Sequence, residues 1–270
     1  MKTSISFFES LKSVFAAIVI PVEIAVAIFI YIYVLGDPSN FQGNDPANHP
    51  MPGNYLGIVY KGGFIVPILI SLLMMVITFG CERLFTISKA KGKGNIKNFV
   101  LNIRALLSSK NISQALAECD RQRGSVANVV KAGLNKYTEL VSNNSLEEEK
   151  KVLMIQKDIE ETTQLEMPML EKNLVIIATI ASIATLMGLL GTVLGMIKAF
   201  AALATAGAPD SIALANGISE ALINTALGIG TSAIAIISYN FFTSRIDALT
   251  YSIDEASYSI VQNFSAHVQK

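Results

Sequence analysis

The stretch NLVIIATIASIATLMGLLGTVLGMI, Asn173 to Ile197, contains no charged side chain. It meets the roughly 20 apolar residues an α-helix needs to cross ~30 Å of hydrocarbon. Its small residues Ala178, Ala181, Thr185, Gly188, Thr192, Gly195 and Ala199 recur at alternating steps of three and four, which draws one narrow stripe along a helix. Lipid tails are as apolar as Leu, so membrane helices associate by close backbone approach and interhelical hydrogen bonds, and Gly, Ala and Thr supply both. The stripe therefore reads as a packing seam. Across the short turn Ala206 to Asp210 lies a second apolar segment, in which Gly217, Glu220, Asn224, Thr231, Ala235 and Ser238 fall near one helix face. An ionised carboxylate in hydrocarbon is unfavourable by ~2.5 kcal/mol or more, so Glu220 must face protein or water. A carboxyl so placed can take up and release protons. The simpler reading, a residue that caps or anchors the outer helix end, is weakened by Asp210, which already marks a charged boundary.

The composition agrees. The chain has 270 residues, 51% hydrophobic and only 16% charged, and a positive mean hydropathy, which places it in the membrane class. Its formal net charge is zero and it has no long basic run, so no nucleic-acid partner is expected. Cys81 and Cys119 lack metal-ligand spacing and His49 and His267 stand alone, which gives no metal site and no cofactor. No nucleophile, paired acid or phosphate loop marks an enzyme.

The expected architecture is an all-α membrane protein with four transmembrane helices whose long helices extend into a cytoplasmic bundle. Residues 1–36 form an uncleaved N-terminal span: Ala25-Val-Ala27 has the small-residue pattern of a signal-peptide cleavage site, but the apolar run Ile28 to Val34 follows it. Glu23 is a second intramembrane acid, expected to pair with a neighbouring helix or to sit in a locally wet kink beside Pro21. Residues 37–61 read as an irregular periplasmic loop rich in Pro, Gly and Asn. Residues 62–83 form the next span, ending at Glu82-Arg83, read as interfacial anchors. Arg83, Lys89, Lys91, Lys93 and Lys97 set that side in the cytoplasm, with both termini. Residues 84–172 form the cytoplasmic helical part, with helix starts marked by Asn111 before Gln114, by Ser125 after Gly124, and by a capping box from Ser145 to Glu148. The run Glu147 to Lys151 reads as a solvated face. From Leu146 no stop precedes the membrane, so one helix, kinked at Pro168, is expected to continue into the span 173–205. The turn 206–210, the span 211–244 and a helical tail 245–270 complete the chain. In the tail Ile246, Leu249, Ile253, Ala256, Ile260 and Phe264 keep helical spacing, a stripe that identical neighbours in a ring could cover. Lys198 is read as snorkelling to the outer interface, with a pair to Asp210 as the alternative.

The runs GLLGTVLGM from Gly188, GISEAL from Gly217, NTALG from Asn224 and the pair Tyr239-Asn240 resemble the signatures of the MotA/TolQ/ExbB proton-channel family, its ExbB branch most closely. The resemblance covers roughly Gly62 to the C-terminus and leaves the first span as an addition. It implies that Glu220 carries protons and that Thr192 and Thr225 line the path; helical spacing alone sets Thr225 about 140° from Glu220. With Asn224 and Thr231 from the polar stripe these make the candidate proton pathway, and Ala181, Thr185, Gly188, Gly191, Gly195, Gly217 and Gly228 make the candidate helix-packing seam. Thr185 and Ile234 stand where the family often has prolines, so both helices are expected to be straighter, and Thr231 with Ser232 extends polarity inward. The resemblance further implies a homo-oligomer, a pentamer, in the bacterial inner membrane and in contact with its lipids, around an ExbD/TolR-like single-helix protein, driving a TonB/TolA-like transducer by proton flow. A TolQ-like role in envelope maintenance and a MotA-like motility motor are the alternatives. Glu220 argues against the latter, because that branch lacks a corresponding glutamate. A secondary transporter would require inverted repeats that the sequence does not show.

Overall fold

The computed structural model describes residues 7–141, 146–204 and 210–268, and among them the fold is all helical apart from an isolated bridge, Phe41 to Pro50. The helices are α1 (Phe7–Phe29), α2 (Tyr55–Tyr60), α3 (Ile65–Lys91), α4 (Ile96–Ser108), α5 (Ile112–Gln122), α6 (Gly124–Val141), α7 (Glu148–Glu171), α8 (Leu174–Leu203) and α9 (Ser211–Val268). Among the described residues four stretches are long and apolar enough to cross a membrane. The chain is therefore a multi-pass membrane protein. It divides into two compact units, Met1–Cys81 with Asn173–Tyr239, and Glu82–Lys172 with Asn240–Lys270.

In the first unit α1 keeps Pro21 inside and ends in a wider turn, Ile30–Leu35, whose Tyr31 ring stacks on Tyr60 at 4.7 Å between centroids. The segment after it is more ordered than its composition suggests. Asn40 donates to the carbonyls of Val34 and Leu35, left without helical partners where the span ends, and accepts from Asn54. Lys61 donates to the carbonyls of Pro46 and Ala47 at 2.9 and 3.1 Å and lies over the Phe41 ring; burial pulls its ammonium pKa down, against the Asp45 charge. The expected loop is thus a folded cap built on side-chain to carbonyl bonds. The next span begins at Ile65, not Gly62, because Gly62 and Gly63 form a turn in which Gly63 takes φ +74°. Pro67 falls in the first turn, where its missing N–H costs no helical bond.

The second unit packs α4 on α5, α5 on α6 and α6 on α7. Asn95 and Asn111 cap α4 and α5 by accepting from Lys97 N and Gln114 N. Helix α6 starts at Gly124, so Ser125 lies inside its first turn rather than at the cap, with a buried hydroxyl. Ser145 lies outside the described residues; Glu147 precedes α7 without a side-chain cap bond. Lys151, read as part of a solvated face, is buried. Burial, reinforced by Asp120, pushes the Cys119 thiol up to about 12, so this cysteine is an inert packing residue.

Three expectations change here. The helix from Leu146 does not run unbroken into the span: Lys172 turns extended and Asn173 adopts φ +66°, a left-handed value that Asn tolerates better than most residues. The break leaves carbonyls near the end of α7 without helical partners, and Arg83 supplies them. Its guanidinium donates to the carbonyls of Met169 and Leu170 at 3.1 and 3.0 Å, its other nitrogens are held by Glu82, and its surface is only 1% exposed. Arg83 is thus a buried cap on a helix C-terminus, where a cation is favoured, rather than an interfacial anchor. Finally, Ile246, Leu249, Ile253, Ala256, Ile260 and Phe264 are all buried within this one chain, with Phe264 edge-on to Tyr137 and Ile260 close to Gly133. The chain's own α6 covers part of the stripe that was expected to await a neighbouring copy.

Candidate functional site

The site is assembled in the first unit where α8, α9 and the turn before α3 meet. Helix α8 buries Ala184, Gly188, Gly191, Gly195 and Ala199, and α9 buries Gly217, Glu220, Ala221, Asn224, Gly228, Thr231, Ser232 and Ala235. The glycines are what let the two backbones meet. A Cβ on Gly195 would stand 2.6 Å from Ala221 N, one on Gly217 2.7 Å from Ala199 N, and one on Gly228 2.6 Å from Ala184 O. One on Gly188 would stand 2.9 Å from Asn224 O, and one on Gly191 would strike the Asn224 side chain. These five glycines form the interhelical contact, in the manner of small-residue interfaces in membranes. Thr185 does not belong to it: it is exposed and bonds only back to Ala181 O, and Ala181 is half-buried. The contact face runs through Ala184 instead, one residue from the expected line: Ala184, Gly188, Gly191, Gly195 and Ala199 are the α8 residues buried there, and Ala184, Gly188, Gly195 and Ala199 bring its backbone against α9. Ala181 still takes part through its carbonyl, which accepts from Ser232 Oγ at 2.6 Å.

Glu220, 6% exposed, lies nine residues into α9. The Lys198 ammonium donates to both of its oxygens, at 2.6 and 2.8 Å. Lys198 therefore neither snorkels alone nor pairs with Asp210; Asp210 instead caps α9 by accepting from Ile212 N and Ala213 N. On the other side, Gly63 leaves room for the carboxylate: a Cβ there would lie 2.6 Å from Glu220 Oε1. One turn along α9, Asn224 Nδ2 donates to Gly62 O at 2.8 Å, while its Oδ1 is buried without a partner. Tyr31 of the first span is close enough to feel the Glu220 charge.

Thr192 and Thr225 meet across the α8–α9 contact, hydroxyl to hydroxyl, and both reach Ala221 O, at 3.4 and 3.1 Å. The 140° that separates Thr225 from Glu220 around α9 thus turns it toward Thr192, while Glu220 and Asn224 turn toward Gly62 and Gly63. The polar residues form two adjoining groups, one on each side of Ala221, and Thr231, also buried, lies farther along α9. Lys198 was read as a snorkelling residue and its pairing with Glu220 was missed, and the roles of Gly62, Gly63 and Tyr31 beside the acid escaped the sequence reading. The available signals were opposite charges inside two adjacent apolar segments and a Gly-Gly pair just before a span.

Among the described residues no three His, Cys, Asp or Glu side chains are grouped to hold a metal ion. What the arrangement offers is a carboxyl with a cation, an amide and paired hydroxyls nearby, inside a unit built of helices long and apolar enough to cross a membrane.

Residues 121–255 match the MotA/TolQ/ExbB proton channel family. The Tol-Pal system protein TolQ of Pseudomonas aeruginosa is 31% identical over 141 residues, 52% of this chain and 61% of that protein. The biopolymer transport protein ExbB of Helicobacter pylori is 40% identical over 81 residues, 30% of this chain and 56% of that protein, and ExbB of Pseudomonas putida is 35% identical over 86 residues, 32% and 26% respectively. The chain thus aligns with less than two thirds of the length of each of these relatives.

Proposed function

The chain belongs to the MotA/TolQ/ExbB proton channel family, and within that family we propose that it is the proton-conducting subunit of an inner-membrane motor that energises TonB-dependent transport across the outer membrane. The observation that carries this reading is Glu220, a carboxylate almost wholly withdrawn from the surface inside a membrane-crossing segment, on the buried polar face of α9. An acid kept there at such cost is a functional group by default. Glu220 takes a proton from the outer side and releases it inward, with Asn224, Thr192, Thr225 and Thr231 lining the route.

The mechanism uses the change in charge. With each cycle Glu220 alternates between carboxylate and neutral acid, which alters its attraction for groups on a helix beside it. In this reading that helix belongs to an ExbD/TolR-like partner surrounded by a homo-oligomeric ring, a pentamer in the family's usual form, and the motion passes to a TonB-like transducer. One charge crossing 100 mV releases about 2.3 kcal/mol, so several protons per stroke suffice for mechanical work. The cytoplasmic side is assigned to the second unit and to both chain termini by the basic residues that follow α3's apolar part.

Growth on a scarce iron chelate tests the reading, in a strain lacking the gene and complemented with the native chain or with Glu220→Gln, with membrane level and assembly measured in both. Rescue by the native chain alone is expected. Rescue by an assembled Glu220→Gln protein refutes a proton-carrying role. The second reading, a TolQ-like subunit of the Tol-Pal system, is favoured by the similarity to TolQ of Pseudomonas aeruginosa; rescue of detergent resistance without rescue of iron-limited growth moves the assignment there.

A further inference from the structure

Lys198 sits near the C-terminal end of α8 with 54% of its side chain exposed, whereas 8% of the Glu220 side chain it binds is exposed. The pair is thus lopsided: a carboxylate enclosed by helices, and a long, flexible cation reaching it from a more exposed position. A buried carboxylate is strongly unfavourable without a partner, and an ammonium spanning both oxygens supplies one. A neutral carboxylic acid holds an ammonium far less well, because the Coulomb attraction between them is gone. The other groups facing Glu220 do not replace that charge. Within electrostatic reach on the first span is the Tyr31 phenol, itself stacked on Tyr60; against the carboxylate in the turn before α3 stands the backbone of Gly63; and one turn along α9 is the uncharged Asn224, which bonds Gly62.

We propose that Lys198 is a movable counter-ion, a positioning residue that holds Glu220 as a carboxylate between proton transfers and lets go each time the carboxylate takes a proton. This rests on reading Glu220 as the proton carrier. A proton arriving from the outer side adds to one Glu220 oxygen, Lys198 keeps its own protons and swings off the carboxylate toward its exposed side, and the pair re-forms when the carboxyl gives its proton up inward. The lysine thereby couples the charge on Glu220 to a side-chain movement at the end of α8, and it keeps an empty site from standing open as an unpaired buried charge.

The test uses the assembled membrane complex and a hydrophobic carbodiimide, which reacts with the protonated form of a carboxyl. The readout is the loss of the unmodified Glu220 peptide by mass spectrometry, so that acylurea and any amide to Lys198 both count. At neutral pH Lys198→Met is expected to consume the peptide roughly tenfold faster than the native chain, the effect of losing about 1.4 kcal/mol of preference for the carboxylate; Lys198→Arg, which keeps the charge, stays near the native rate. A native rate in assembled Lys198→Met overturns the proposal. Should that variant not assemble, Lys198→Gln, of similar length, is read in its place; failure of both to assemble while Lys198→Arg does makes the lysine a static brace and likewise overturns it. The two readings fail separately. An active Glu220→Gln protein removes the proton-carrier role whatever the labelling rates, whereas an inactive Glu220→Gln with unchanged labelling in Lys198→Met removes the counter-ion role alone.

Discussion

Glu220 and Glu23 are both acids in membrane-crossing helices and both 6% exposed, yet their surroundings differ in kind. Glu220 has a cation on both oxygens, a glycine that clears space beside it, and further polar side chains along its own helix face. Glu23 faces Thr78 of α3 and leaves Oε2 without a partner. Among the described residues Thr78 is the hydroxyl that bonds Glu23, and no cation pairs with it as Lys198 pairs with Glu220. Burial makes a carboxyl unusual; the groups that respond when it changes charge make it useful. Glu82 with Arg83 adds a third case, in which the charged pair also holds two helix-end carbonyls and so belongs to the framework.

The comparison is sharpest where the two membrane acids are neutralised in turn. Glu220→Gln is expected to cut proton flow into vesicles by about a hundredfold or more, the usual scale for removing a proton-transferring group, without lowering the amount of assembled protein. Flow at the native level would erase the distinction between the two acids. Arg83→Met should instead destabilise the second unit by about 3 kcal/mol, through unpaired carbonyls and the loss of a buried charge partner, seen as a lower midpoint in thermal unfolding. A pH profile of flow that moves with it would show that this pair, too, takes part in conduction. Gly63→Ala combines a left-handed backbone with a Cβ pressed against Glu220, and about 1–2 kcal/mol of strain is expected from the backbone alone; reduced flow with α8 and α9 still packed, checked by a cross-link between cysteines placed on the two helices, locates the defect at the carboxylate. The smallest effect belongs to Glu23→Gln: an amide is the same size and can still bond Thr78, so stability should change by about 1 kcal/mol or less and flow stay near native. A large loss there would make the first span part of the proton route.

Much of the site was legible in the sequence because a membrane span leaves few choices. A carboxylate cannot face lipid, so Glu220 and the polar residues at helical spacing from it had to share a buried face, and Gly217, Asn224, Thr231 and Ala235 do. Glycines at repeated intervals in two adjacent spans had to be contact points for the same reason. Thr185 misled, because one residue of drift around a helix is about 100° and a small polar side chain is tolerated outside a contact as well as inside it.

The amino-acid order by itself determined four apolar helices, the buried acid in the last of them and the glycine-lined contact beside it, because hydrocarbon admits backbone only as closed helices and charge only where protein shields it. Tertiary structure alone decided which groups meet the acid. Lys198 lies 22 residues from Glu220 and Gly62 lies 162 from Asn224, separations with no periodicity to read, and the break at Asn173 and the arginine that heals it depend on carbonyls left open only once the helices have ended where they do. Those contacts follow from how the helices pack, and packing is a property of the assembled chain.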